Sequence, residues 1–594
     1  MNRSGALSGR SSRVSSAAVL LFSLFVLSSC GSPNPTAEAI APQDEVDVGS
    51  IVVKVYDGIS QEAVDNVVIR VSNTQIVDGV DGRELRINGC PAGQLLVASA
   101  PGYETGSVPC NQDTTAYYIE LNRLSVTDDP NYSWLSAENE CGRCHKQEAG
   151  VGYAEFNEWK LSAHATVFAD SLFETIYRGV NVNGLNVAPG FKLDKPTDAG
   201  NCAFCHAPAA IPFSGVPQDL SSDPAGAGAE GVTCDVCHKA SGIVLDNAGN
   251  PLKYGALSFE YLRSNNLFVI GSFSNVLSAG NSQFRQHTIS TCKPFLSRSV
   301  FCAACHYGML GGTLIYGSYS EWQASDYGKD PKSAEYRTCQ DCHMSHLNPK
   351  KGLDGSPSRN ACSETKGDFQ DYSHNLMDFG EANLGNGTTG QIPRMIQEAA
   401  DLDVKVKYDR GARSLNVRVT VENTKAGHKF PTDSPLRHLI LVVNVTDEFG
   451  HRLERMDGLE IPEWTGDVNM NLGGVPGYAG LPGTVYANLL KESSTDVSPT
   501  ASYWRDDITH LYTTKNGRSS DTCLMPNDPE VTEYNFHVPD LGEVKINVQL
   551  IYRFAFFKLM DEKDWVRPDI LVTQTSCQFS PTDGKKMDCR QADP

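Results

Sequence analysis

The sequence predicts a multidomain chain, with a small β-sandwich near the amino terminus, a mostly helical and irregular central region, and a second β-sandwich at the carboxyl end. Its 594 residues are too many for one domain. Short runs rich in β-branched residues and bounded by turn residues fill residues 49–122 and 401–577. Between them, residues 123–375 are rich in Gly, Pro and Asn and contain five copies of one cysteine-histidine motif.

The amino terminus predicts export. Arg3, Arg10 and Arg13 precede the apolar run AAVLLFSLFVL, which has 11 residues and is too short to span a bilayer. The run is followed by LSSC, which resembles the end of a bacterial lipoprotein signal and would make Cys30 the lipidated first residue. An ordinary signal peptide with a chance cysteine is the alternative.

On the lipoprotein interpretation, residues 1–29 are a signal peptide and residues 30–48 are a flexible tether. Ser32 resembles the sorting residue of lipoproteins sent to the outer membrane. We therefore expect an exported outer-membrane lipoprotein, on the periplasmic side or the cell surface, that is attached to the membrane by its lipid. No later apolar run is long enough to predict a transmembrane helix.

The charge of the chain argues against nucleic acid as a partner. The formal net charge is −21, and no basic stripe occurs in the sequence. An acidic surface favours solubility and says little about the fold.

The 18 cysteines define the chemistry of the chain. Ten of them form five CxxCH motifs, whereas random placement of 18 Cys and 14 His predicts about 0.01 such motifs. The motifs comprise Cys141, Cys144 and His145; Cys202, Cys205 and His206; Cys234, Cys237 and His238; Cys302, Cys305 and His306; and Cys339, Cys342 and His343.

CxxCH is the attachment signature of c-type haem. Two cysteines three residues apart lie on one helical turn, so their thiols can bind the two vinyl groups of one porphyrin while the adjacent histidine binds the iron. A zinc ribbon needs no histidine after each second cysteine, and five motifs would leave one without a partner motif. A thioredoxin-like site needs only one motif. The sequence therefore predicts five covalently bound haem c groups, with iron, around which the central region packs.

The other cysteines have structural roles or open assignments. Cys90 and Cys110 bracket a small β unit, and Cys577 and Cys589 bracket the C-terminal tail, so both pairs are predicted disulfides in an oxidising compartment. Three cysteines remain, an odd number, and their pairing stays open: Cys292, Cys362 and Cys523.

The flanking regions read as β-structure. In residues 49–122, the strands IVVKVYD, NVVIRV, RELRIN and QLLVAS resemble in their order the carboxypeptidase regulatory-like β-sandwich, which implies a non-catalytic module. Residues 376–400 form a Gly-rich connector. The strands that follow predict a C-terminal β-sandwich over residues 401–594.

Low-spin electron-transfer haems need a second axial ligand, usually another histidine or a methionine. Nine histidines lie outside the motifs. His438 lies in the strand LRHLILVV and is predicted to pack in a core, whereas Met309 and Met344 are predicted to pack against porphyrin faces. Three histidines have no supporting context and are expected to face solvent: His451, His510 and His537.

Four histidines lie in segments that resemble multihaem cytochromes of the cytochrome c554 type. EWKLSAHA is similar to the family's W-x-x-S-x-H segment, and AGHKFPTDSPLR resembles its G-H-x-x-P-T-G loop, except that Asp433 replaces the last glycine. QFRQHTIST and DYSHNLMDFG match the segments before the fourth motif and after the last one. At the level of these motifs, the resemblance covers residues 130–560. It implies four distal ligands: His164, His287, His374 and His428.

His346, in CHMSH, is the fifth candidate for a distal ligand. It follows His343 by three residues, about one helical turn, so it cannot readily reach the opposite face of the same haem. It could bind the iron of a neighbouring haem, or lie beside a haem or on the surface without binding iron. The sequence leaves both open.

The resemblance implies a non-enzymatic electron carrier in respiration or extracellular electron transfer, with redox proteins or an extracellular acceptor as partners. A multihaem oxidoreductase of the nitrite or hydroxylamine type is an alternative if one haem is five-coordinate, although nitrite reductases typically use a CxxCK haem that this chain lacks. A cytochrome filament is another alternative, in which a histidine of one subunit binds a haem of the next in a homo-oligomer.

Overall fold

The computed structural model describes most of the chain from residue 50 onwards. Among these described residues, no helix is long and apolar enough to cross a membrane. The predicted signal peptide, the tether and Cys30 lie outside them. The ranges described are residues 50–594 apart from 66, 72–74, 80–84, 101, 105, 124–126, 130, 147–154, 213, 264–267, 271–288, 292–293, 345–372, 375, 377–393, 511–520, 539–541, 583–587 and 593–594.

The amino-terminal region is β-rich. Its strands are β1 (Ser50–Asp57), β2 (Val67–Val71), β3 (Gln75–Gly79), β4 (Leu85–Asn88), β5 (Leu95–Ser99), β6 (Gly106–Pro109) and β7 (Ala116–Leu121). One sheet has the order β4-β1-β7, in which β1 and β7 are parallel, and the other has the order β3-β2-β5-β6.

One apolar core joins these two sheets. Side chains at alternate positions of β1, such as Val53 and Val55, are buried together with Ile69 and Leu96 of the other sheet. This alternation is what one buried face per sheet requires. The predicted disulfide between Cys90 and Cys110 is confirmed, with the two Cα atoms 5.5 Å apart. The assignment to the carboxypeptidase regulatory-like class stays a prediction.

The central region consists of short helices joined by loops. The helices are α1 (Gly142–His145), α2 (Glu155–Leu161), α3 (Ala163–Thr166), α4 (Ser171–Arg178), α5 (Phe191–Asp194), α6 (Ala203–His206), α7 (Cys234–His238), α8 (Ser299–His306), α9 (Ser318–Ala324) and α10 (Cys339–His343). A π-helical turn, Ala137–Cys141, precedes α1. Single 3₁₀ turns lie at Pro208–Ala210, Gly226–Ala229, Gly255–Ser258 and Pro294–Ser297.

Among its described residues, the central region also contains three small two-stranded sheets. They pair β8 (Ala240–Ile243) with β9 (Phe259–Tyr261), β10 (Phe268–Ile270) with β11 (Ile289–Thr291), and β12 (Gly308–Leu310) with β13 (Thr313–Tyr316). The helix α11 (Arg394–Glu398) then leads into the carboxyl-terminal region. Strand β14 begins at Ala400, so the β-structure starts at the last residue of the predicted connector.

The carboxyl-terminal region is again β-rich. Its strands are β14 (Ala400–Asp409), β15 (Ser414–Asn423), β16 (His438–Thr446), β17 (Arg455–Asp457), β18 (Asn471–Leu472), β19 (Val475–Pro476), β20 (Gly483–Ala487), β21 (Leu490–Glu492), β22 (Ile508–His510), β23 (Glu530–His537), β24 (Val544–Arg553), β25 (Ile570–Phe579) and β26 (Asp588–Ala592). The two main sheets have the orders β14-β15-β23-β17 and β20-β16-β24-β25-β26. The chain also forms a 3₁₀ turn, Glu463–Thr465, and the helix α12 (Phe557–Lys563).

The five-stranded sheet is buried on both faces. On β16, Leu439 and Leu441 point to a core shared with the four-stranded sheet, whereas Ile440 and Val442 point to a second core. This explains why the strand HLILVV is continuously apolar rather than alternating. The second core includes Ile176 of α4, so the outer face of the sheet packs on the central region. The predicted disulfide between Cys577 and Cys589 is confirmed and joins paired positions of β25 and β26.

Lys563 at the end of α12 fastens the carboxyl-terminal region to the central region. Its fully buried ammonium donates to three backbone carbonyl oxygens of the central region, at 3.3, 3.0 and 2.6 Å. The acceptors belong to Thr175, Val180 and Val187. Next to it, the Trp565 indole donates to the Thr175 hydroxyl at 3.0 Å. A buried charge is stable only when such partners surround it, so this contact holds the β-region in one position.

Candidate haem-binding sites

The five motifs share one local geometry. Each CxxCH sequence ends a short helix whose last residue is the motif histidine. Helical turns bring residues three and four apart onto one face, so two thiols and one imidazole can address the same ligand. In the motif that ends α10, Thr338 caps the helix by accepting from the Asp341 amide, and Asp341 accepts from the Thr338 amide in return.

Three motif histidines face a second histidine from elsewhere in the chain. His238 lies opposite His374, with ring centroids 6.1 Å apart and ring planes 19° apart. His343 lies opposite His428, at 6.1 Å and 15°. The third pair is His306 and His164, at 6.2 Å and 55°.

These separations fit one metal ion between two imidazoles. With a metal–nitrogen bond of about 2.0 Å and the nitrogen about 1.1 Å from the ring centroid, the two centroids are about 6.2 Å apart. A direct stacking contact of two rings falls in a broader and mostly shorter range, about 4.5–7 Å. The two thiols beside each motif histidine complete the donor set of a haem c. The residues present therefore fit an iron porphyrin with a histidine on each side.

The segment that contains His164 packs directly against the third motif. The Trp159 indole donates to the Val232 carbonyl at 2.8 Å, and the Val232 amide donates to the His164 carbonyl at 2.8 Å. Residues 231–232 immediately precede the helix α7. Trp159 therefore places His164 beside the third motif while its imidazole faces the fourth.

Glu158 holds the segment that contains His374. Its carboxylate accepts from the His374 amide at 2.9 Å and from the Ser373 hydroxyl at 3.2 Å. Glu158 and His164 lie in neighbouring turns of α2 and α3, so one short stretch positions two of the distal histidines. Nothing in the sequence singles out Glu158, because a lone glutamate on a helix carries no signal for this contact.

The loop that carries His428 is held at both ends. The Asn423 side chain donates to the His428 carbonyl at 2.8 Å and accepts from the Ala426 amide at 3.0 Å. The Thr432 hydroxyl donates to Glu321 of α9 at 2.6 Å. A Cβ at Gly427 would lie only 3.3 Å from the Tyr327 ring, so the close approach favours glycine there.

Hydrogen bonds at Nδ1 orient several of these imidazoles. The Nδ1 of His206 contacts the Val167 carbonyl at 3.0 Å, and that of His428 contacts the Lys429 carbonyl at 2.8 Å. Donation from Nδ1 leaves Nε2 free to bind a metal. Burial lowers the pKa of His206, which favours the neutral imidazole that binds metals. Phe173 stacks on the same ring, with centroids 3.8 Å apart.

At His306 the partner of Nδ1 is a carboxylate. Asp433 Oδ2 lies 3.0 Å from it, and the Ser318 amide and hydroxyl donate to Asp433 at 3.0 and 3.2 Å. Burial acts to raise the pKa of Asp433, but the contact with His306 and the Ser318 amide outweigh burial and lower the pKa to about 2. Asp433 is therefore ionised at neutral pH.

The remaining predicted distal ligands, His287 and His346, lie outside the described residues. The two motif histidines not yet placed in a pair are His145, whose Nδ1 is 3.4 Å from a Glu155 oxygen, and His206. The predicted contacts of Met309 and Met344 with porphyrin faces stay predictions.

The other histidines are placed mostly as predicted. His438 is fully buried between Trp464 and Phe556, which confirms a packing role. His451 and His537 are exposed. The prediction for His510 is wrong: it is half-buried in a cavity also lined by Glu321, and burial lowers its pKa. The sequence shows only a short strand there and not the wall that covers it.

Contacts between motifs show how they adjoin. The first and third motifs adjoin, since Cys234 raises the pKa of Cys141 and the Leu135 amide donates to Asp235 of the third motif at 3.0 Å. The fourth motif adjoins the second, third and fifth: Cys205 raises the pKa of Cys305, burial and Cys305 raise that of Cys237, and the Cys339 amide donates to Ser299 of α8 at 3.0 Å. The motifs therefore form one connected group with the fourth at its junction. Of the cysteines with open pairing, Cys523 is a buried free thiol, and Cys292 and Cys362 lie outside the described residues.

Comparison with known proteins agrees with this chemistry. Residues 140–239, which contain three of the five motifs, match the family described as cytochrome c554 and c-prime. No curated protein matches the chain. A penta-haem cytochrome c552 from Thermochromatium tepidum is similar in structure, with 18% identity and a TM-score of 0.47 over 75% of this chain and 99% of the other. The five motifs and the family match together support a multihaem cytochrome of the c type with a role in electron transfer.

Proposed function

We propose that the chain carries electrons through five covalently bound haem c groups, each with a histidine on both sides of the iron. The observation that carries this proposal is the set of three imidazole pairs at 6.1–6.2 Å, each of which joins a CxxCH histidine to a histidine outside the motifs. We further propose that His287 and His346 serve the two remaining irons.

The residues that would hold the haems have different roles. The motif thiols would form the thioether bonds, and the motif histidines together with His164, His374 and His428 would bind iron. A bound haem c supplies an iron that takes up and releases one electron. With an imidazole on each side of the iron, no coordination position would remain for a substrate.

The contacts between motifs support transfer from one haem to the next. In each motif, one thiol lies near enough to a thiol of another motif for the two to be electrostatically coupled. Because each thiol marks the edge of its porphyrin, neighbouring porphyrins would have neighbouring edges. The Nδ1 contacts of His206 and His428 with backbone carbonyls fix these imidazoles, which would keep the structural change on oxidation small.

The haem count and the ligation can be tested on the purified protein. Mass spectrometry and the pyridine haemochrome assay should give five haems per chain. The ferric protein should show only low-spin signals in low-temperature electron paramagnetic resonance (EPR). Fewer haems would contradict the count, and a high-spin signal would instead favour an oxidoreductase with one five-coordinate haem.

We also propose that the protein is a lipid-anchored outer-membrane cytochrome that exchanges electrons with redox proteins or an extracellular acceptor. The basis is the apolar run followed by LSSC and the export that c-type haem attachment requires. Mass spectrometry should find a diacylglyceryl group on Cys30, and Cys30→Ala should release the protein from membranes. Filaments in electron micrographs of the purified protein would favour the alternative of a cytochrome polymer.

A further inference from the structure

We propose that the Asp433 carboxylate lowers the reduction potential of the haem iron bound by His306 and His164. This inference rests on the proposed function, because it needs an iron between these two histidines. It assigns a tuning role to a residue that departs from the loop pattern of the resembled family.

The Asp433 carboxylate is held beside the His306 imidazole. Asp433 Oδ2 lies 3.0 Å from His306 Nδ1, within hydrogen-bond range. The carboxylate cannot easily turn away, because the Ser318 amide donates to its other oxygen at 3.0 Å and the Ser318 hydroxyl donates at 3.2 Å. Its side chain is only 13% exposed, so water screens its charge weakly.

The other histidines with a described Nδ1 contact have weaker partners than His306. The Nδ1 atoms of His206 and His428 contact backbone carbonyls, which carry partial charges only. His145 has a carboxylate neighbour, Glu155, but its oxygen lies 3.4 Å from Nδ1, against 3.0 Å for Asp433 at His306. Among these four histidines, His306 therefore has the strongest anionic partner.

The negative charge of Asp433 should affect the oxidation state of the iron bound by His306. A carboxylate that accepts from Nδ1–H draws the proton towards itself and makes the imidazole a more basic ligand. A ferric centre carries one more positive charge than a ferrous one. The nearby negative charge and the more basic ligand therefore both stabilise the ferric form, which lowers the potential.

The backbone shows how the substitution is tolerated. Asp433 has a φ of 60°, in the left-handed region that suits glycine. Asp and Asn adopt this region more readily than other non-glycine residues. The loop therefore keeps a glycine-like backbone conformation at this position and adds a carboxylate aimed at a neighbouring motif.

The fourth motif lies at the junction of the motif group, so the potential of its haem should affect how electrons distribute among the haems. The fourth motif adjoins the second and third, whose thiols are electrostatically coupled to its own, and the fifth, whose Cys339 amide donates to Ser299 of α8 at 3.0 Å. An iron of low potential at this junction would release electrons to its neighbours rather than retain them. Asp433 would thereby set the direction in which charge spreads through the group.

The ring angles provide a label for this haem. The anisotropy of the EPR signal of low-spin ferric haem increases as two imidazole planes turn away from parallel. The planes of His164 and His306 are 55° apart, against 19° and 15° in the other two pairs. Among the haems of the three described pairs, the signal with the largest g value should therefore belong to the His164–His306 haem. Its loss in His164→Ala identifies the signal to follow in a redox titration.

The test uses the full holoprotein with Asp433→Asn and Asp433→Gly, followed by EPR during potentiometric titration. Asparagine keeps the shape and tolerates the backbone conformation, and glycine restores the residue of the resembled loop. We expect each variant to favour the ferrous form of the labelled haem by about tenfold, which is an upward shift of about 59 mV for one electron. The matched control is Asp521→Asn, because Asp521 lines the same cavity but bonds to Lys429 rather than to an imidazole.

The outcomes separate this inference from the proposed function. An unchanged midpoint in both variants overturns the tuning role of Asp433, and so does an equal shift in Asp521→Asn. Conversion of the labelled haem to high spin in both variants would also overturn it, because Asp433 would then only hold the ligand in place. If the unmodified protein contains no low-spin haem, the proposed function itself fails.

Discussion

His343 and His428 face each other with their ring planes 15° apart and their centroids 6.1 Å apart, although 85 positions separate them in the sequence. The first ends a CxxCH motif in the central region, and the second lies in a loop between two strands of the carboxyl-terminal region. One iron between them would join the two regions by coordination. The β-region would then be part of the haem group rather than an appendage to it.

His428→Ala should convert one haem to high spin and leave the others low-spin, because the iron on His343 would lose its second ligand. Absorption and EPR spectra of the ferric protein measure the change. His451→Ala is the control, because that imidazole is 80% exposed in the same region. A fully low-spin spectrum of His428→Ala would reduce His428 to a turn residue.

Among the signals of the three described pairs, His164→Ala should remove the one of largest anisotropy, and it should produce one high-spin haem. The reason is the 55° angle between the rings of His164 and His306, which sets this pair apart from the other two described pairs. His374→Ala should instead remove one of the less anisotropic signals. The same signal lost in both variants would contradict the pairing.

Glu158→Ala should weaken the ligation of one haem and lower the free energy of unfolding by about 1–3 kcal/mol, because it removes the acceptor of a buried amide. The affected amide is that of His374. Part of the haem on His238 should become high-spin, measured by EPR. Glu158→Gln keeps an acceptor oxygen and should restore most of the low-spin signal.

Glu174→Ala is the matched control for this prediction. Glu174 lies on α4 and forms a partly exposed ion pair with Arg178 at 3.2 Å. Such pairs contribute about 0–1 kcal/mol, so the haem spectrum should not change. Equal loss of low-spin signal in the Glu174 and Glu158 variants would rule out a specific role for Glu158.

Lys563→Met should lower the free energy of unfolding by about 2–4 kcal/mol, since three carbonyls lose their donor in a buried site. Denaturant titration followed by tryptophan fluorescence measures the loss. Lys558→Met is the control on the same helix, because Lys558 is 84% exposed and its pair with Glu562 spans 3.6 Å. Losses of the same size in both variants would show that the buried contacts do not stabilise the docked β-region.

The pH dependence of stability should also differ between the wild type and Lys563→Met. Burial lowers the pKa of Lys563 to about 8, below the ordinary value of about 10.4. Between these values the unfolded chain binds more protons than the folded one, so stability rises with pH. The advantage of the wild type over Lys563→Met should therefore grow from about pH 8 to pH 10. An advantage that shrinks over this range would mean that the three carbonyls keep the pKa of Lys563 high.

The sequence is sufficient to predict a site or a bond wherever the residues that form it lie close together in the chain. A CxxCH motif spans five residues, so one helical turn brings its thiols and imidazole together whatever the rest of the chain does. The two disulfides are predicted for a related reason, because each closes a short β unit. The distal candidates His164, His374 and His428 follow from their flanking residues, which resemble known segments.

Which imidazole faces which motif is decided by tertiary structure. His164 lies closest in sequence to the first two motifs but faces the fourth, because Trp159 and Val232 fix its segment beside α7. The continuous apolar sequence of β16 is likewise explained only by the structure, which places a core on each face of the strand.

Asp433, which replaces the last glycine of the resembled loop, shows most clearly what the sequence cannot predict. From the sequence, Asp433 is only a substituted glycine that puts the loop conformation in doubt. The structure places its carboxylate on an imidazole 127 positions away in the chain. The sequence by itself therefore determined the haem attachment sites and the candidate ligands, whose geometry lies within one turn or one loop. The pairing of ligands, the docking through Lys563 and the charge beside His306 were decided by the fold, because each depends on groups that only packing brings together.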